Sequence, residues 1–406
     1  MSKTQQPLSG EHGLTNVVII GPTESLLTKR GNRHPSLAAY LVEAGYKVSY
    51  LTSNFYHAEK RFFDRDEIRG VAQQAPYPLE VVKCLGYRSN VSVRRVLSNT
   101  FLSIAIFVRL LFRRSLTGSV VVIPSRPVEL IFLMGLLRRL RRIRILIDIQ
   151  DVWPDAFPMK SGLKKTVFTT YCNVLLRRSL SRYDHCIHVA PGFVDWLHRY
   201  APQNDSTFVP LGYDPQRWCE VDMNMRLAAL SDETPIKLVC VGQLQRQIDV
   251  LPLVKLIGND QRWHLTIIGE NGQGERCDEV KKYIDQERVS NVTFVGVVPP
   301  DQMPMLLAKM HIGVVPMITT SIPNKVFDYI ASWLPTLVIG AKDAGEFVCS
   351  NKLGWFSDYD AEQLESVLKA IVDSDLAGIV HNVDAFREKY SRPVLFGEVR
   401  RLIDQN

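Results

Sequence analysis

Short apolar runs alternate along the chain with stretches in which apolar residues recur every three or four positions. The runs predict buried parallel strands, and the periodic stretches predict the helices that connect them. In the first half of the chain, strands are expected at NVVIIG, KVSYLTS, SVVVIPS, RILIDIQ and HCIHVA. In the second half, they are expected at IKLVCVG, HLTIIGE, NVTFVG, HIGVVP and TLVIG.

A polar, turn-rich region interrupts this pattern near the middle of the chain. It comprises APQNDS and the stretch from YDPQRW to SDETP, and it predicts a linker. The fold class is therefore α/β, with two doubly wound parallel sheets. We place an N-terminal domain at 1–212 and a C-terminal domain at 213–384. Residues 385–406 are expected to form a C-terminal helical segment that returns to the first domain.

One segment within the second half carries the clearest helix pattern. Val326, Ile330 and Trp333 follow one another at helical spacing, so they are expected on one face. Pro335 is expected to end this helix, because proline cannot continue the hydrogen-bond ladder.

Composition favours a cytoplasmic protein. Seven cysteines are scattered along the chain without a CxxC pair, which favours reduced thiols over disulfides or a zinc site. The polar N-terminus does not resemble a secretory signal. The longest apolar stretches, FLSIAIFVRLLF and LIFLMGLL, are shorter than a membrane-spanning helix requires.

Positive charge is concentrated in one segment, Lys83–Ile147. It holds 13 basic residues and one acid, Glu129, so its charge is 13 − 1 = +12, while the whole chain carries +7 and the remainder 7 − 12 = −5. Such a segment predicts an anionic partner, and we favour an anionic membrane surface. Arginines that merely flank a buried helix are the alternative. Nucleic acid is disfavoured, because the arginines are not accompanied by interleaved recognition aromatics or by a known nucleic-acid-binding module.

Candidate chemistry lies after the strands of the second half, since ligands of such sheets bind at the carboxyl ends of strands. Gly242 permits a tight turn after one strand, and Arg246 lies in the loop that follows; an ordinary loop with a solvated arginine is the alternative. Asn324 and Lys325 begin a helix whose N–H groups, with the ammonium, suit a phosphate. A solvated lysine is the alternative there. Asp328 is a candidate acceptor for ribose hydroxyls, or a carboxylate that stabilises the helix start.

Four segments of the second half resemble a known family in their order and spacing. They are IKLVCVGQLQRQIDVLPLV, HLTIIGENGQGERCDEVKKYI, NVTFVGVVPPDQMPMLLAKMHIGVVPM and SIPNKVFDYIASWLPTLVIG. Together they are similar to the nucleotide-sugar-binding domain of the retaining glycosyltransferases of family four (group 1). In the first half, DIQDVWPDAF is similar to the branch that builds bacterial polysaccharides. The resemblance implies the GT-B architecture, in which two Rossmann-like domains face one another across a cleft.

The resemblance also implies roles on the donor side. Arg246 and Lys325 match the basic residues that grip the donor diphosphate, and both are therefore catalytic candidates. Asp328 stands where the family places a ribose-binding glutamate. Thr320 stands where the family often has an acid that contacts the transferred sugar, which leaves the identity of the sugar open.

Acceptor-side roles are implied for the first half. Gly31 and Asn32 match the glycine-containing loop after the first strand. Asp151 is the candidate for the residue near the donor's anomeric carbon; a cap or turn residue before Trp153 is the alternative. His57 is a candidate acceptor-side residue, with a structural histidine as the alternative.

The implied activity is retaining transfer of a sugar from a nucleotide-sugar donor to a lipid-linked glycan acceptor. It is expected at the cytoplasmic face of the inner membrane. The resemblance implies that no metal or cofactor is needed, and the lack of a suitably placed DxD motif agrees with this. A sugar-nucleotide epimerase of the same architecture, or a non-catalytic membrane-associated protein that binds a nucleotide sugar, are the alternatives.

Overall fold

A computed structural model describes residues 15–28, 32–157, 159, 161–230, 234–244, 247–269, 275–319 and 321–405. The chain forms two compact units. The first comprises Met1–His188, Phe193–Thr207 and Arg400–Asn406. The second comprises Val189–Gly192 and Phe208–Val399.

The first unit is built on a seven-stranded sheet with the strand order β5-β2-β1-β6-β7-β8-β9. Its pairings from β5 through β8 are parallel. The strands of this half, including a short β3–β4 hairpin, are β1 (Asn16–Gly21), β2 (Lys47–Ser53), β3 (Phe55–Tyr56), β4 (Arg61–Phe62), β5 (Leu79–Val82), β6 (Val120–Pro124), β7 (Arg144–Ile149), β8 (His185–His188) and β9 (Ser206–Phe208).

Helices connect these strands by crossovers. They are α1 (Arg33–Glu43), α2 (Arg65–Gln74), α3 (Val93–Leu111), α4 (Val128–Leu140), α5 (Leu163–Arg177) and α6 (Phe193–Tyr200). The chain moves along the sheet in one direction from β1 to β5 and in the other from β5 to β8. Because parallel crossovers are right-handed, α3, α4 and α5 share one face of the sheet. Helix α4 accordingly packs against both α3 and α5.

The second unit contains a six-stranded parallel sheet with the order β12-β11-β10-β13-β14-β15. Its strands are β10 (Ile236–Val241), β11 (Trp263–Ile268), β12 (Val292–Gly296), β13 (Ile312–Pro316), β14 (Thr336–Ile339) and β15 (Gly354–Ser357). The remaining helices are α7 (Met223–Ala229), α8 (Leu251–Ile257), α9 (Glu275–Glu287), α10 (Met303–Leu307), α11 (Asn324–Ala331), α12 (Lys342–Ser350), α13 (Ala361–Val372), α14 (Leu376–Arg387) and α15 (Arg392–Asp404).

The predicted fold class is confirmed. Each strand named from the sequence is present with its ends within two residues of the expected ones. The central strands β1, β6 and β7 are buried along nearly all their length, because helices cover both faces of a doubly wound sheet. The short strands β3, β4, β5, β9 and β15 were not predicted from the sequence.

Two sequence predictions were wrong in detail. Helix α11 ends at Ala331, and Trp333 lies beyond it with a φ of 55°, so Trp333 is not on the helix face. Its indole instead packs against the Arg387 guanidinium, 3.9 Å from the ring centre. The region expected to be a linker contains α7, which is anchored by the fully buried Arg226; that guanidinium donates to backbone carbonyls of Leu307 and Ser332.

Candidate functional site

The carboxyl end of β10 carries an open glycine turn. Gly242 follows the strand with a φ of 122°, a conformation that disfavours other residues, and its N–H donates to the Ile268 carbonyl at 2.8 Å. Gly269, with a φ of 92°, lies directly beside it: a Cβ added there would come within 3.4 Å of the Gly242 backbone. Two strands thus end in residues without side chains, which lets a ligand approach the backbone closely.

Tyr329 fixes helix α11 against the sheet next to this turn. Its hydroxyl accepts a hydrogen bond from the Val241 N–H at 3.2 Å and lies 3.1 Å from the Val239 carbonyl oxygen, to which it can donate. The ring fits because Gly313 lacks a side chain: a Cβ there would be 2.3 Å from it. The helix register at the end of β10 is therefore set by a buried, hydrogen-bonded tyrosine.

Lys325 lies one turn before Tyr329 and is directed at Gly242. A Cβ added at Gly242 would be 3.5 Å from the Lys325 ammonium nitrogen. That nitrogen is buried and has no hydrogen-bond partner among the described residues. Burial lowers the pKa of Lys325, although the Cys240 thiol and Asp328 oppose the shift. A buried cationic donor without an acceptor is costly, so this position is suited to an anionic ligand.

The start of α11 adds further donors. Pro323 occupies the cap position, and no side chain caps the helix there. Asn324 is exposed in the first turn, so its amide side chain is accessible. The first N–H groups of a helix have no intrahelical partner, and the helix dipole favours negative charge at this end.

Asp328 lies one turn after the start of α11 and is half-buried. Within the described part of the chain, its carboxylate forms no hydrogen bond or ion pair. Burial raises the pKa of Asp328 overall, although the positive charges of Arg217, Arg392 and Lys325 partly oppose this shift. Both carboxylate oxygens are therefore free to accept hydrogen bonds from a ligand.

The structure thus brings Gly242, Asn324, Lys325 and Asp328 together at the carboxyl edge of the second sheet. The other predicted donor residue, Arg246, lies outside the described residues. Thr320 does as well.

In the first unit, Asp151 lies in the loop after β7. Its carboxylate accepts a hydrogen bond from Arg126 Nη1 at 3.0 Å and remains partly exposed. The loop is fastened by Ser125, whose hydroxyl donates to the Asp151 carbonyl oxygen at 2.7 Å. The side chain therefore takes part in an ion pair.

His57 lies in the turn after β3 and is already engaged. Its Nδ1 contacts the Tyr87 hydroxyl and lies 3.2 Å from the Lys60 ammonium. Burial, with the charges of Lys60, Arg95 and Arg126, lowers the pKa of His57 to about 3. The imidazole is therefore neutral at physiological pH.

The same residues form a cationic cluster that the sequence did not indicate. Lys60 and Arg95 approach the Tyr87 ring, at 5.2 and 5.5 Å from its centre. The Nε of Arg95 is buried without a hydrogen-bond partner among the described residues. Burial lowers the pKa of Lys60 to about 8, with a further contribution from Arg95. Asp151 pairs with Arg126, which leaves Lys60 and Arg95 without a carboxylate partner in the described chain.

A second group that sequence reasoning missed lies at the carboxyl end of β7. Asp148 is buried and accepts from Arg33 Nε at 2.9 Å and from Gln150 Nε2 at 2.9 Å. His34 Nε2 lies 3.0 Å from the same carboxylate, and its Nδ1 lies 3.3 Å from Glu24. Burial opposes the charged imidazole, but the two carboxylates dominate and raise the pKa of His34 to about 9.

These residues fix the start of α1. Asn32 stands at its cap position, exposed, and makes no side-chain cap; its carbonyl accepts from the Ser36 N–H at 2.9 Å. Gly31 lies outside the described residues. An aspartate inside the otherwise apolar RILIDIQ strand was the one available signal for this group.

Comparison with known families matches both halves of the chain. Residues 235–374 match the model described as glycosyl transferases group 1. Residues 31–212 match the glycosyl transferase 4-like domain. No curated protein matches the sequence.

Solved structures match the fold over nearly the whole chain. Sucrose-phosphate synthase from Thermosynechococcus elongatus has a TM-score of 0.69 at 14% identity, covering 96% of this chain and 99% of its own. WaaG, a glycosyltransferase involved in lipopolysaccharide biosynthesis, has a TM-score of 0.65 at 12% identity, covering 96% and 100%. Anabaena HepE in complex with UDP-glucose has a TM-score of 0.63 at 12% identity, covering 96% and 99%.

Identities this low establish the fold, and the family follows from the two sequence models. Those models follow one another in order and together span more than half of the chain, and they correspond to the two sheets. The chain therefore belongs to the group 1 glycosyltransferases and is a transferase with the GT-B fold.

Proposed function

We propose that the protein is a retaining glycosyltransferase that moves a sugar from a nucleotide-sugar donor to a lipid-linked glycan. The observation that carries the donor half is the buried, unpartnered ammonium of Lys325 beside the Gly242 turn. A diphosphate bound there would supply the acceptor that this ammonium lacks. The bound UDP-glucose of Anabaena HepE, a protein of the same fold, supports the same class of ligand.

The chemistry proposed for this site is stabilisation of a leaving group. As the bond to the anomeric carbon breaks, negative charge grows on the diphosphate, and fixed donors aimed at it lower the barrier. Lys325 and the first N–H groups of α11 would hold that charge, with Arg246 as the second cation that the family resemblance implies. In this scheme cationic side chains replace a resident metal ion. Asp328 would accept hydrogen bonds from the ribose hydroxyls, through the oxygens that its surroundings leave free.

Retention is proposed to proceed on one face of the sugar. The acceptor hydroxyl attacks on the side from which the diphosphate departs, and a diphosphate oxygen takes the hydroxyl proton. Asp151 is assigned the orienting role that the resemblance implies, since its ion pair with Arg126 fixes the carboxylate.

A phosphate-bearing acceptor is supported by the cationic cluster of the first unit. Lys60 and Arg95 lie against Tyr87 and His57 without a carboxylate partner in the described chain, whereas Arg126 is paired with Asp151. A lipid-linked saccharide carries such phosphates, so we place the reaction at the cytoplasmic face of a membrane. Asn32 and Gly31 are proposed to contact the acceptor as the resemblance implies.

Incubation with radiolabelled nucleotide sugars and a bacterial membrane lipid extract tests the proposal. Label transferred to the lipid fraction supports it, with the anomeric configuration read by NMR from the isolated product. Free donor converted to an isomer would instead identify an epimerase. Donor binding without turnover would identify a non-catalytic binder.

A further inference from the structure

The outer face of α3 exposes a stripe of large apolar side chains. Its members are spaced four, four, three, four and four residues apart, and each is between 45 and 77% exposed. They are Val93, Leu97, Phe101, Ile104, Val108 and Phe112. This spacing places them on one side of a helix. We call this set the α3 stripe.

The α3 stripe is separate from the face that holds the helix in the fold. Leu102, Ile106 and Leu110 are buried on the inner face. Packing of the helix is therefore satisfied without the stripe. A contiguous apolar surface of this kind on a folded protein marks a contact with another apolar phase.

The charges of the residues around the α3 stripe indicate which apolar phase it contacts. The sequence has no acidic residue from Lys83 to Val128, nor from Ala156 to Tyr183, and these ranges include α3 and α5. On α5, Lys164, Lys165 and Arg177 are exposed, and they lie on the same side of the sheet as α3. A second copy of this chain would bring like charges together. An anionic bilayer instead accepts apolar side chains at its acyl boundary and lysines at its headgroups.

The Arg-rich segment contributes less free charge than the sequence suggested. Arg138 forms two hydrogen bonds with Asp184, at 2.9 and 3.0 Å. Arg141 donates to the backbone carbonyls of Leu111 and Arg113, and so fastens the end of α3. Arg109 and Arg113 are likewise paired, with Glu80. Lys164, Lys165 and Arg177 of α5 form no ion pair among the described residues, so they add unpaired charge beside the apolar side chains of α3.

The helix is suited to lie flat on a surface. Its 19 residues span about 28 Å at 1.5 Å per residue. No helix among the described residues is long and apolar enough to cross a membrane. A helix with one face in a folded core and the other apolar can only enter the interfacial layer.

We propose that α3 docks this protein in the plane of an anionic membrane surface, with the α3 stripe inserted at the acyl boundary and the α5 lysines at the headgroups. The proposal deepens the proposed function, since it names the surface on which a lipid-linked acceptor would be reached. Docking itself requires neither donor nor acceptor.

Co-sedimentation of the full chain with vesicles tests it. Vesicles of phosphatidylcholine with about one third phosphatidylglycerol are compared with pure phosphatidylcholine, at low and physiological salt. Binding should be stronger to the anionic vesicles and weaken with salt. The Ile104→Ser/Val108→Ser variant should bind at least tenfold more weakly, because two apolar anchors are lost. Its matched control is Val372→Ser/Val394→Ser, with similar exposure on α13 and α15, which should bind like the wild type.

The electrostatic contribution to vesicle binding is tested by a second variant with its own matched control. Lys164→Gln/Lys165→Gln should weaken binding to anionic vesicles by about fivefold per lysine, and the loss should shrink at higher salt. Lys281→Gln/Lys282→Gln, two adjacent exposed lysines of α9, should leave binding unchanged. Circular dichroism melting checks that each variant is folded.

Two results would overturn the inference. One is equal vesicle binding by the wild type and the Ile104→Ser/Val108→Ser variant. The other is a vesicle-free wild-type dimer that this variant dissociates, since the stripe would then cover a second copy. Vesicle binding without sugar transfer would contradict only the proposed function. Transfer to a short-chain, water-soluble acceptor without vesicle binding would contradict only the docking.

Discussion

Substitution of Lys325 by methionine separates a ligand-binding role from a structural one. Methionine keeps the length and apolar stem of the side chain and removes the charge. A charge-assisted hydrogen bond to phosphate contributes about 1.5 to 3 kcal/mol, so affinity for a nucleoside diphosphate should fall about 10- to 150-fold. Affinity for the matching nucleoside, which lacks phosphate, should not change. Isothermal titration calorimetry with UDP, GDP and ADP, each beside its nucleoside, measures both.

The free energy of unfolding of Lys325→Met should be equal to or higher than that of the wild type. The Lys325 ammonium is buried without a hydrogen-bond partner among the described residues, so its loss removes a cost of burial. A structural lysine would behave differently, because its removal would lower the free energy of unfolding. The combination of weaker diphosphate binding with undiminished stability is therefore specific to a binding role.

The lowered pKa of Lys325 also predicts the direction in which stability changes with pH. Burial favours the neutral amine in the folded protein, so the unfolded chain binds more protons near the lowered pKa. Stability contributed by this group therefore rises as pH increases from that pKa toward the ordinary lysine value. A bound diphosphate favours the ammonium and should cause proton uptake, seen as a dependence of the binding enthalpy on the buffer. Equal diphosphate affinity in wild type and Lys325→Met would refute the assignment, as would an equal loss of nucleoside affinity.

Four further predictions concern the other residues of the two units. Asp328→Ala should raise the KM for the donor while Asp328→Glu is tolerated; unchanged donor kinetics in the alanine variant would reduce Asp328 to a helix residue. Asp151→Asn should lower kcat more than donor affinity, as expected of a group that acts in the transition state, whereas Asp155→Asn, in an exposed ion pair with Arg199, should leave kcat unchanged. Asp148→Asn should cost about 3 to 5 kcal/mol of unfolding free energy, because Arg33 and His34 lose a buried partner. Since the pKa of His34 is raised to about 9, the stability it contributes is complete below pH 6.5 and is lost as pH rises through about 9, so the difference between wild type and Asp148→Asn should narrow over that window in denaturant titrations. Treatment with EDTA should leave transfer activity unchanged, and activity restored only by added Mg²⁺ or Mn²⁺ would contradict the metal-free scheme.

The sequence was informative where local pattern decides structure. Apolar runs identified the strands, because a strand buried on both faces must be apolar throughout. Lys325 and Gly242 could be named as candidates, since both follow a strand. Their contact could not be derived from local pattern. That contact depends on the Tyr329 ring filling the space beside Gly313, and these two residues are 16 positions apart in the chain.

Trp333 shows how a local pattern can mislead. Its spacing from Ile330 fits a helix, but the chain turns at this residue and the indole packs against Arg387, which lies 54 positions later. The same limit applies to Asp148. A charged residue in an apolar strand indicates that a buried partner of opposite charge is present. The partners of Asp148 are Arg33 and His34, at the start of the helix that follows β1. They reach Asp148 because the sheet order places β1 and β7 on either side of β6.

The arginines make the same point for function. A count of charge treats Arg138 and Arg141 as equal contributors to the basic segment Lys83–Ile147 and leaves Arg177 outside it. In the folded protein Arg138 and Arg141 are held by Asp184 and by backbone carbonyls, whereas Arg177 is exposed on a helix without acids. A charge already bonded within the fold attracts an external anion less, and removing it also disturbs packing. Membrane docking is therefore better tested at the α3 stripe and the α5 lysines than at the arginines that are most concentrated in the sequence.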